Sequence, residues 1–143
     1  MKKGFTYIEL LTPLFIITLL LAIAYPSYHH YLIRVHRDDG KSALLDLAAR
    51  MENYYAENHT YVDATLGASG AKDIRSNDLS PEGWYQLSIP RQSATGYTLQ
   101  ATPLESQGSG DISCQSLTLN NLGEKSITQG PAGTPTDTAE HCW

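Results

Sequence analysis

The chain has 143 residues, enough for one domain with a single hydrophobic core. Its formal net charge is −5, and the imbalance lies in residues 59–143, which hold four basic and nine acidic side chains. An acidic distal part argues against general nucleic-acid binding, because such binding depends on Lys and Arg side chains that neutralise phosphates.

The N-terminal segment is almost wholly apolar from residue 5 to residue 25, close to the ~20 residues that a membrane-spanning helix needs. Lys2 and Lys3 precede it, so the positive-inside rule predicts a cytoplasmic N-terminus. Glu9 lies inside this run, where a carboxylate costs roughly 2.5–3.5 kcal/mol on insertion scales. A plain membrane anchor therefore explains the apolar residues but not Glu9. A secretory signal cut after Ala24 is an alternative, since small residues flank Ile23 there.

Residues 27–58 continue as an amphipathic helix. Apolar side chains recur there at helical spacing and form one stripe, at Tyr28, Tyr31, Leu32, Val35, Leu44, Leu47, Ala48, Met51, Tyr54 and Tyr55. Gly40 interrupts the pattern and lowers the helix propensity by about 1 kcal/mol. We interpret the stripe as a core face rather than as a ligand site.

The distal part reads as a loop followed by strands. Residues 59–83 are rich in Gly, Ala, Ser, Asp and Asn and predict a loop. Four strand-like runs follow, at residues 84–89, 97–102, 114–119 and 125–127, and Pro90 is expected to stop the first. Residues 128–142 again predict a loop. A long helix followed by an antiparallel meander is an α+β arrangement.

The sequence offers no pattern of catalysis. It contains no nucleophile elbow, no phosphate-binding glycine loop and no HExxH, and its five histidines are best explained as solvated or capping side chains. Asp38 and Asp39 suggest a charged helix surface rather than a cation site. Arg34, Arg37 and Lys41 form a basic cluster just beyond the apolar segment. Their side chains would contact either lipid phosphates or acidic residues of a neighbouring subunit. We therefore predict no enzyme activity, no metal and no cofactor.

Cys114 and Cys142 are the only cysteines, so a single internal pairing exists. Because the N-terminal segment indicates export to an oxidising compartment, a disulfide is the favoured state. It would enclose the C-terminal loop, which buries too little to hold itself, and would hold Trp143 at the end of the head, either packed against the sheet or exposed to solvent.

The N-terminus Met-Lys-Lys-Gly-Phe-Thr-x-Ile-Glu-Leu resembles the leader of type IV pilins and related pseudopilins. The resemblance implies that a prepilin peptidase cuts after Gly4, which makes residues 1–4 a leader peptide, and methylates Phe5. It further implies that Glu9 meets the N-terminal amine of a neighbouring subunit, and Pro26 matches the family's helix-bending proline. Two opposite charges attract strongly in a low-dielectric environment, so the pairing is physically sound. Pro13 departs from the pattern, because it removes a helical hydrogen bond to the carbonyl of Glu9.

The rest of the chain also resembles a pilin. The run KSALLDLAARMENYYAENHTY is similar to the second half of the pilin helix, and CQSLTLNNLGEK with a terminal Cys-Trp looks closest to the short minor pilins called PilE-type. The expected fold is a long helix, with residues 5–26 in the membrane or filament core and 27–58 amphipathic, packed on a four-stranded antiparallel sheet. Residues 59–143 would form a head with a disulfide-bounded C-terminal loop.

The resemblance implies a filament subunit, expected here to be a minor one. Its partners would be other pilin subunits, the prepilin peptidase, the inner-membrane assembly machinery and, before assembly, the lipid bilayer. The head would lie in the periplasm and then on the extracellular pilus. Two alternatives remain open: a type II secretion pseudopilin, and a DNA-uptake or adhesive module. The second would need a basic or aromatic patch, and the acidic head offers no obvious nucleic-acid site.

Overall fold

A computed structural model describes residues 6–143 of the chain. Gly4 and Phe5, the residues expected to be processed, lie outside the described residues. The chain divides into two compact units, Met1–Arg34 and Val35–Trp143. Its first element is a single helix, α1 (Tyr7–Asn58), which contains both Pro13 and Pro26.

The first unit presents apolar side chains to its surroundings. Every residue from Thr6 to Tyr31 is exposed, and a window of this helix reaches a mean hydropathy of 2.2. The hydroxyls of Thr12 and Thr18 donate to the carbonyls of Ile8 and Phe15, both at 2.8 Å, so neither hydroxyl needs a partner outside the helix. The segment is long and apolar enough to cross a membrane.

In the second unit, the part of α1 beyond Val35 buries one stripe against a sheet. Leu44, Leu47 and Met51 are fully buried, as the periodicity predicted, and Ala43, which the prediction did not include, is buried beside them. Val35 and Tyr55, assigned to the same stripe, are 38% and 36% exposed, and the ring of Tyr55 stacks on Tyr61. Tyr28 and Tyr31, which belong to the first unit, are also exposed.

Gly40 has a packing role that its helix propensity does not reveal. A Cβ atom built on Gly40 would lie 3.0 Å from the ring of Tyr85, a fully buried side chain of the sheet. The glycine therefore allows α1 to approach the sheet closely at this point. A glycine here costs about 1 kcal/mol of helix propensity, but a larger residue would collide with Tyr85.

The remaining elements follow in chain order: β1 (Thr65–Leu66), β2 (Asp73–Arg75), β3 (Tyr85–Gln92), β4 (Tyr97–Pro103), α2 (Glu105–Gly110), β5 (Ser116–Asn120), β6 (Lys125–Thr128) and α3 (Ala139–Cys142). Strands β3-β4-β5-β6 form one antiparallel sheet in that order. The predicted α+β class and the four-stranded meander are thus confirmed.

Three details of the sequence prediction are wrong. Strand β3 does not stop at Pro90 but continues to Gln92, with a register irregularity between Ser88 and Arg91; β3 is an edge strand, where a missing N–H can be tolerated. The predicted loop 59–83 contains β1 and β2, which pair in parallel. The predicted C-terminal loop ends in the short helix α3, whereas the segment that forms α2 received no prediction.

Candidate functional site

Glu9 lies in the first turn of α1 and has a partner within its own chain. Its Oε2 atom accepts hydrogen bonds from the backbone N–H of Thr6 at 2.8 Å and from the Thr6 hydroxyl at 2.6 Å. Thr6 precedes the first helical residue and Glu9 stands three positions later, which is the spacing of a capping box. The carboxylate is therefore satisfied locally, whereas the sequence analysis gave it only the amine of a neighbour.

Pro26 lies inside α1, among the exposed apolar residues of the first unit, and the helix continues past it. Like Glu9, it is exposed, as is every other residue between Thr6 and Tyr31. An apolar surface of this length needs either lipid or other helices around it.

Cys114 and Cys142 form a disulfide, with their Cα atoms 5.6 Å apart and both residues fully buried. The bond joins the segment that leads into β5 to the end of α3. Trp143 packs against the sheet: its Nε1 atom donates to the carbonyl of Ser126 at 3.0 Å, and the Nζ atom of Lys125 lies 5.2 Å from its ring centroid.

A buried polar cluster attaches the disulfide-bounded region to α1. The Arg37 guanidinium donates twice to Asp111, at 2.6 and 2.7 Å, and the Asp111 side chain is fully buried. Gln107 of α2 donates to Asp111 at 3.3 Å and to the hydroxyl of Tyr85 at 3.1 Å. The bonds to Asp111 raise the pKa of Arg37 above its ordinary value, and burial raises the pKa of Tyr85.

These contacts correct two interpretations made from the sequence, one of Arg37 and one of Asp39. Arg37 faces neither lipid nor another subunit, because Asp111 of its own chain holds it. Asp39 is not part of a helix-surface charge cluster, because it is buried and accepts hydrogen bonds from the Ser80 hydroxyl at 2.5 Å and the Glu82 N–H at 3.1 Å. It therefore anchors the turn before β3 to α1.

Gln115 fastens the C-terminal loop to the rest of the head. This residue is fully buried and has a φ of 48°, a conformation that side-chain-bearing residues adopt at a cost of order 1–3 kcal/mol. Its amide nitrogen donates to the carbonyl of Asp111 at 2.7 Å, and its amide oxygen accepts from the N–H of Ala132 at 3.0 Å. A Cβ on Gly130 would lie 2.7 Å from the same oxygen, so any larger residue there would have to displace the Gln115 amide.

Two tyrosines share one carboxylate at the other end of the helix. The hydroxyls of Tyr61 and Tyr97 donate to Glu52, at 3.1 and 3.0 Å, and their rings meet edge to face with centroids 4.9 Å apart. Burial is the first cause that raises the pKa of both tyrosines, and their bonds to Glu52 raise it further. The pair is a structural contact within the head.

The head is strongly acidic, and most of its cations are neutralised. The unit Val35–Trp143 holds seven basic and fourteen acidic residues. Four of the basic side chains form ion pairs within the head: Arg37, Lys41, Arg50 and Lys72. Among the residues that the structure describes, no ion pair engages Arg75, Arg91 or Lys125, and Lys125 lies over Trp143.

Arg91 lines a groove at one end of the sheet. The groove lies between the β3–β4 hairpin and the turn after β5, and no carboxylate lines it. Its polar side chains include the carboxamides of Gln92, Asn120 and Asn121. Asn121 joins the two walls, because its N–H donates to the carbonyl of Tyr97 at 3.2 Å. The sequence analysis missed Arg91, although it is the only basic residue between Arg75 and Lys125.

Residues 6–143 contain no group of three or more His, Cys, Asp or Glu side chains that could hold a metal ion. His36, one of the five histidines, stacks on Trp84 with ring centroids 3.7 Å apart and lies 3.1 Å from Gln107. It is thus part of the packing between α1 and α2.

Comparison with known proteins gives one family and one fold. A family model described as "Type IV minor pilin ComP, DNA uptake sequence receptor" matches residues 26–118. The crystal structure of the non-core minor pilin PilV of Neisseria meningitidis is similar in fold, with 21% identity over 75% of this chain and 97% of that one and a TM-score of 0.51. No curated protein matches the sequence closely enough to count as a relative.

Proposed function

The chain belongs to the ComP family of type IV minor pilins, and we propose that the inner membrane holds it by residues 5–26 until it is extracted into the pilus. Lys2 and Lys3 keep the N-terminus cytoplasmic, and the head lies in the periplasm. The prepilin peptidase cuts after Gly4 and methylates Phe5, and the inner-membrane assembly machinery moves the subunit into the filament. The chain acts through assembly and binding and catalyses no reaction.

The observation that carries this proposal is the apolar, uncovered half of α1 with Glu9 in its first turn. Lipid and a bundle of pilin helices are equivalent surroundings for the apolar side chains, so transfer between them costs little. Glu9 makes the filament more favourable than the bilayer for this subunit. The two Thr6 bonds satisfy its carboxylate in the bilayer, and the charged amine of a neighbouring subunit offers a stronger partner in the filament core.

The experiment separates assembly from insertion. Glu9→Ala is expected to leave processed protein in the inner membrane but to remove it from, or greatly reduce it in, sheared filaments. Thr12→Val is the matched control, because Thr12 lies on the same exposed helix and bonds only to its own backbone carbonyl. Gly4→Leu is expected to block cleavage, since a bulky side chain would occupy the peptidase's small-residue site. Normal incorporation of Glu9→Ala would refute the pairing.

The comparison favours a minor pilin over a type II secretion pseudopilin, and the family description names a receptor for DNA uptake sequences. We propose DNA uptake as the second function, with Arg91 as the residue that contacts duplex DNA. The support is geometric: Arg91 is exposed, has no carboxylate partner among the described residues, and lines a groove with carboxamides, the side-chain chemistry that reads base edges.

The test compares two arginines of the same head. The full chain in detergent micelles is used to select duplexes from a random-sequence pool, and binding to the selected duplex is then measured for Arg91→Gln and Arg50→Gln. Both changes remove one positive charge, but Arg50 is paired with Asp46 at 2.8 Å. Arg91→Gln is expected to weaken binding by about tenfold or more, the loss of one bidentate contact. Equal effects of the two changes would contradict a role for Arg91.

A further inference from the structure

A cavity of about 290 Å³ lies beside Trp84, and we call it the Trp84 pocket. Residues 82–84 form one wall, and Leu104 and Glu105, where β4 leads into α2, form the other. The two walls are joined, because the N–H of Leu104 donates to the carbonyl of Trp84 at 2.9 Å. A cavity of this size is at the lower end of the range for ligand sites and suits a single side chain.

The indole of Trp84 is held in place on one side. His36 stacks on it, with ring centroids 3.7 Å apart and ring planes 15° apart, and His36 is not among the residues that line the pocket. The amide nitrogen of Gln107 donates to the Asp111 carboxylate, so the Gln107 amide oxygen accepts from the Nδ1 atom of His36 at 3.1 Å. The aromatic surface that lines the pocket is therefore in position before any ligand arrives.

The turn that carries Glu82 is fixed to α1 as well. The hydroxyl of Ser80 and the N–H of Glu82 both donate to the buried Asp39, and the N–H of Gly83 donates to the carbonyl of Ser80 at 3.0 Å. The backbone that places the Glu82 carboxylate at the pocket is thus anchored on the helix.

Two carboxylates line the Trp84 pocket, and no cationic side chain does. Glu82 and Glu105 are both exposed, and among the described residues neither forms an ion pair. The pocket therefore attracts a cation and repels phosphates. A metal ion suits it poorly, because an indole supplies no ligand and residues 6–143 contain no group of three His, Cys, Asp or Glu side chains that could hold one.

We propose that the Trp84 pocket receives an arginine side chain of a neighbouring pilin subunit. A guanidinium has three properties that match the pocket: a positive charge, a flat surface that stacks on an indole, and N–H groups that donate in pairs to a carboxylate. The ammonium of a lysine supplies the charge without the flat surface. This inference rests on the proposed filament function and names one contact between this head and its neighbours.

The occupant is assigned to a neighbouring subunit because the pocket lies beside α1, the element along which pilin subunits pack in the proposed filament. Its walls contact α1 at His36 and Asp39. Arg34 of this chain illustrates the matching group: it is exposed on α1, and no ion pair engages it within residues 6–143. A neighbouring pilin that presents an arginine of this kind fills the pocket.

The binding experiment uses the full chain in detergent micelles. Trp143→Phe is the background, so that Trp84 is the one remaining tryptophan. N-acetyl-arginine amide is the probe, and N-acetyl-citrulline amide, which has nearly the same shape without the charge, is its control. The arginine probe is expected to change the Trp84 emission in a saturable way, and the citrulline probe is not.

Two carboxylate variants locate the binding. Glu82→Gln and Glu105→Gln are each expected to weaken binding of the arginine probe by about tenfold, the loss of one charge-assisted contact. Glu140→Gln is the matched control and should stay within about twofold, because Glu140 is exposed but does not line the pocket. Equal affinity of all three variants and the parent chain, or equal binding of the citrulline probe, overturns the proposal.

The second measurement is made on filaments. Glu105→Lys is expected to lower the share of this chain in sheared pili severalfold, since the new ammonium repels the incoming guanidinium. Glu140→Lys changes the net charge equally and should leave the share unchanged. Quantitative mass spectrometry of sheared pili measures both.

Three outcomes on filaments and membranes contradict the proposal. Normal incorporation of Glu105→Lys shows that no neighbour occupies the pocket. Loss of the arginine response when micelles are replaced by phosphatidylethanolamine nanodiscs shows that a lipid ammonium occupies it instead. Absence of the wild-type chain from pili refutes the filament function, and this inference with it, even where the titration shows that the pocket binds arginine.

Discussion

Arg37 and Asp111, which are 74 positions apart in the chain, form an ion pair with two hydrogen bonds of 2.6 and 2.7 Å. The pair connects α1 to the segment that leads into the disulfide. Arg37→Met would leave the fully buried Asp111 carboxylate without its cation, which is expected to lower the free energy of unfolding by about 3–5 kcal/mol. Urea denaturation followed by the fluorescence of Trp84 and Trp143 measures the change.

Arg50→Met is the matched control for this prediction. Arg50 also pairs with an aspartate at short distance, but both side chains are about half exposed. Exposed pairs of this kind contribute within about 0–1 kcal/mol, so the control is expected to change stability little. If the two substitutions cost the same, the Arg37–Asp111 pair does not hold the head together.

The disulfide is expected to stabilise the head by roughly 3 kcal/mol, the value of the chain-entropy model for a loop of about this length. The double variant Cys114→Ser/Cys142→Ser should therefore unfold at lower urea concentration, and reduced wild type should unfold like it. The bond joins residues 28 positions apart around Gly- and Pro-rich sequence. Free thiols in the purified, unreduced protein would contradict the bond.

Alkaline pH should destabilise the head through its buried tyrosines. Burial raises the pKa of Tyr97, and the bond to Glu52 raises it further. Because the folded pKa lies above the unfolded value of about 10, this contribution to stability is fully present below pH ~10 and declines as pH rises beyond it. Tyr97→Phe is expected to lose the bond to Glu52 at neutral pH but to show a shallower decline above pH ~10 in urea denaturation. An unchanged slope would show that Tyr97 does not titrate in this way.

Pro13 is expected to limit how many copies a filament accepts. A proline inside a straight helix costs ~3 kcal/mol, and in a homopolymer every copy would repeat this cost beside Glu9. The protein should therefore be a small fraction of purified filaments while its loss reduces their number, and Pro13→Ala should raise its share. Quantitative mass spectrometry of sheared pili measures both. If the wild-type chain is the dominant subunit, Pro13 needs another explanation.

The helix and the four sheet strands could be predicted from the sequence because their signals are local. The apolar run, the stripe around Leu44 and the alternation in β4 follow the periods of helix and strand. The short helix α2 has no such signal: it begins with Glu105 at a φ of 44° and contains two glycines. It forms because Gln107 finds partners on Asp111 and Tyr85, contacts that arise only after the chain has folded.

The residues of the candidate site likewise include some with a local sequence signal and some without one. Glu9, the cysteines and Pro26 were found because each stands out within its own segment. Arg91 was missed because its importance lies in what surrounds it: it lines a groove whose other residues come from the β3–β4 hairpin and from the turn after β5, and these segments meet only in the folded sheet. The partner of Arg37 was missed for the same reason, since no spacing rule links residues so far apart.

The central claim is that the chain is processed as a pilin and enters the filament. The intact mass of this chain, isolated from sheared pili, tests that claim most directly. The account predicts a chain that begins at Phe5 and carries one N-terminal methyl group. A chain that begins at Tyr25, or filaments from which this chain is absent, would contradict it.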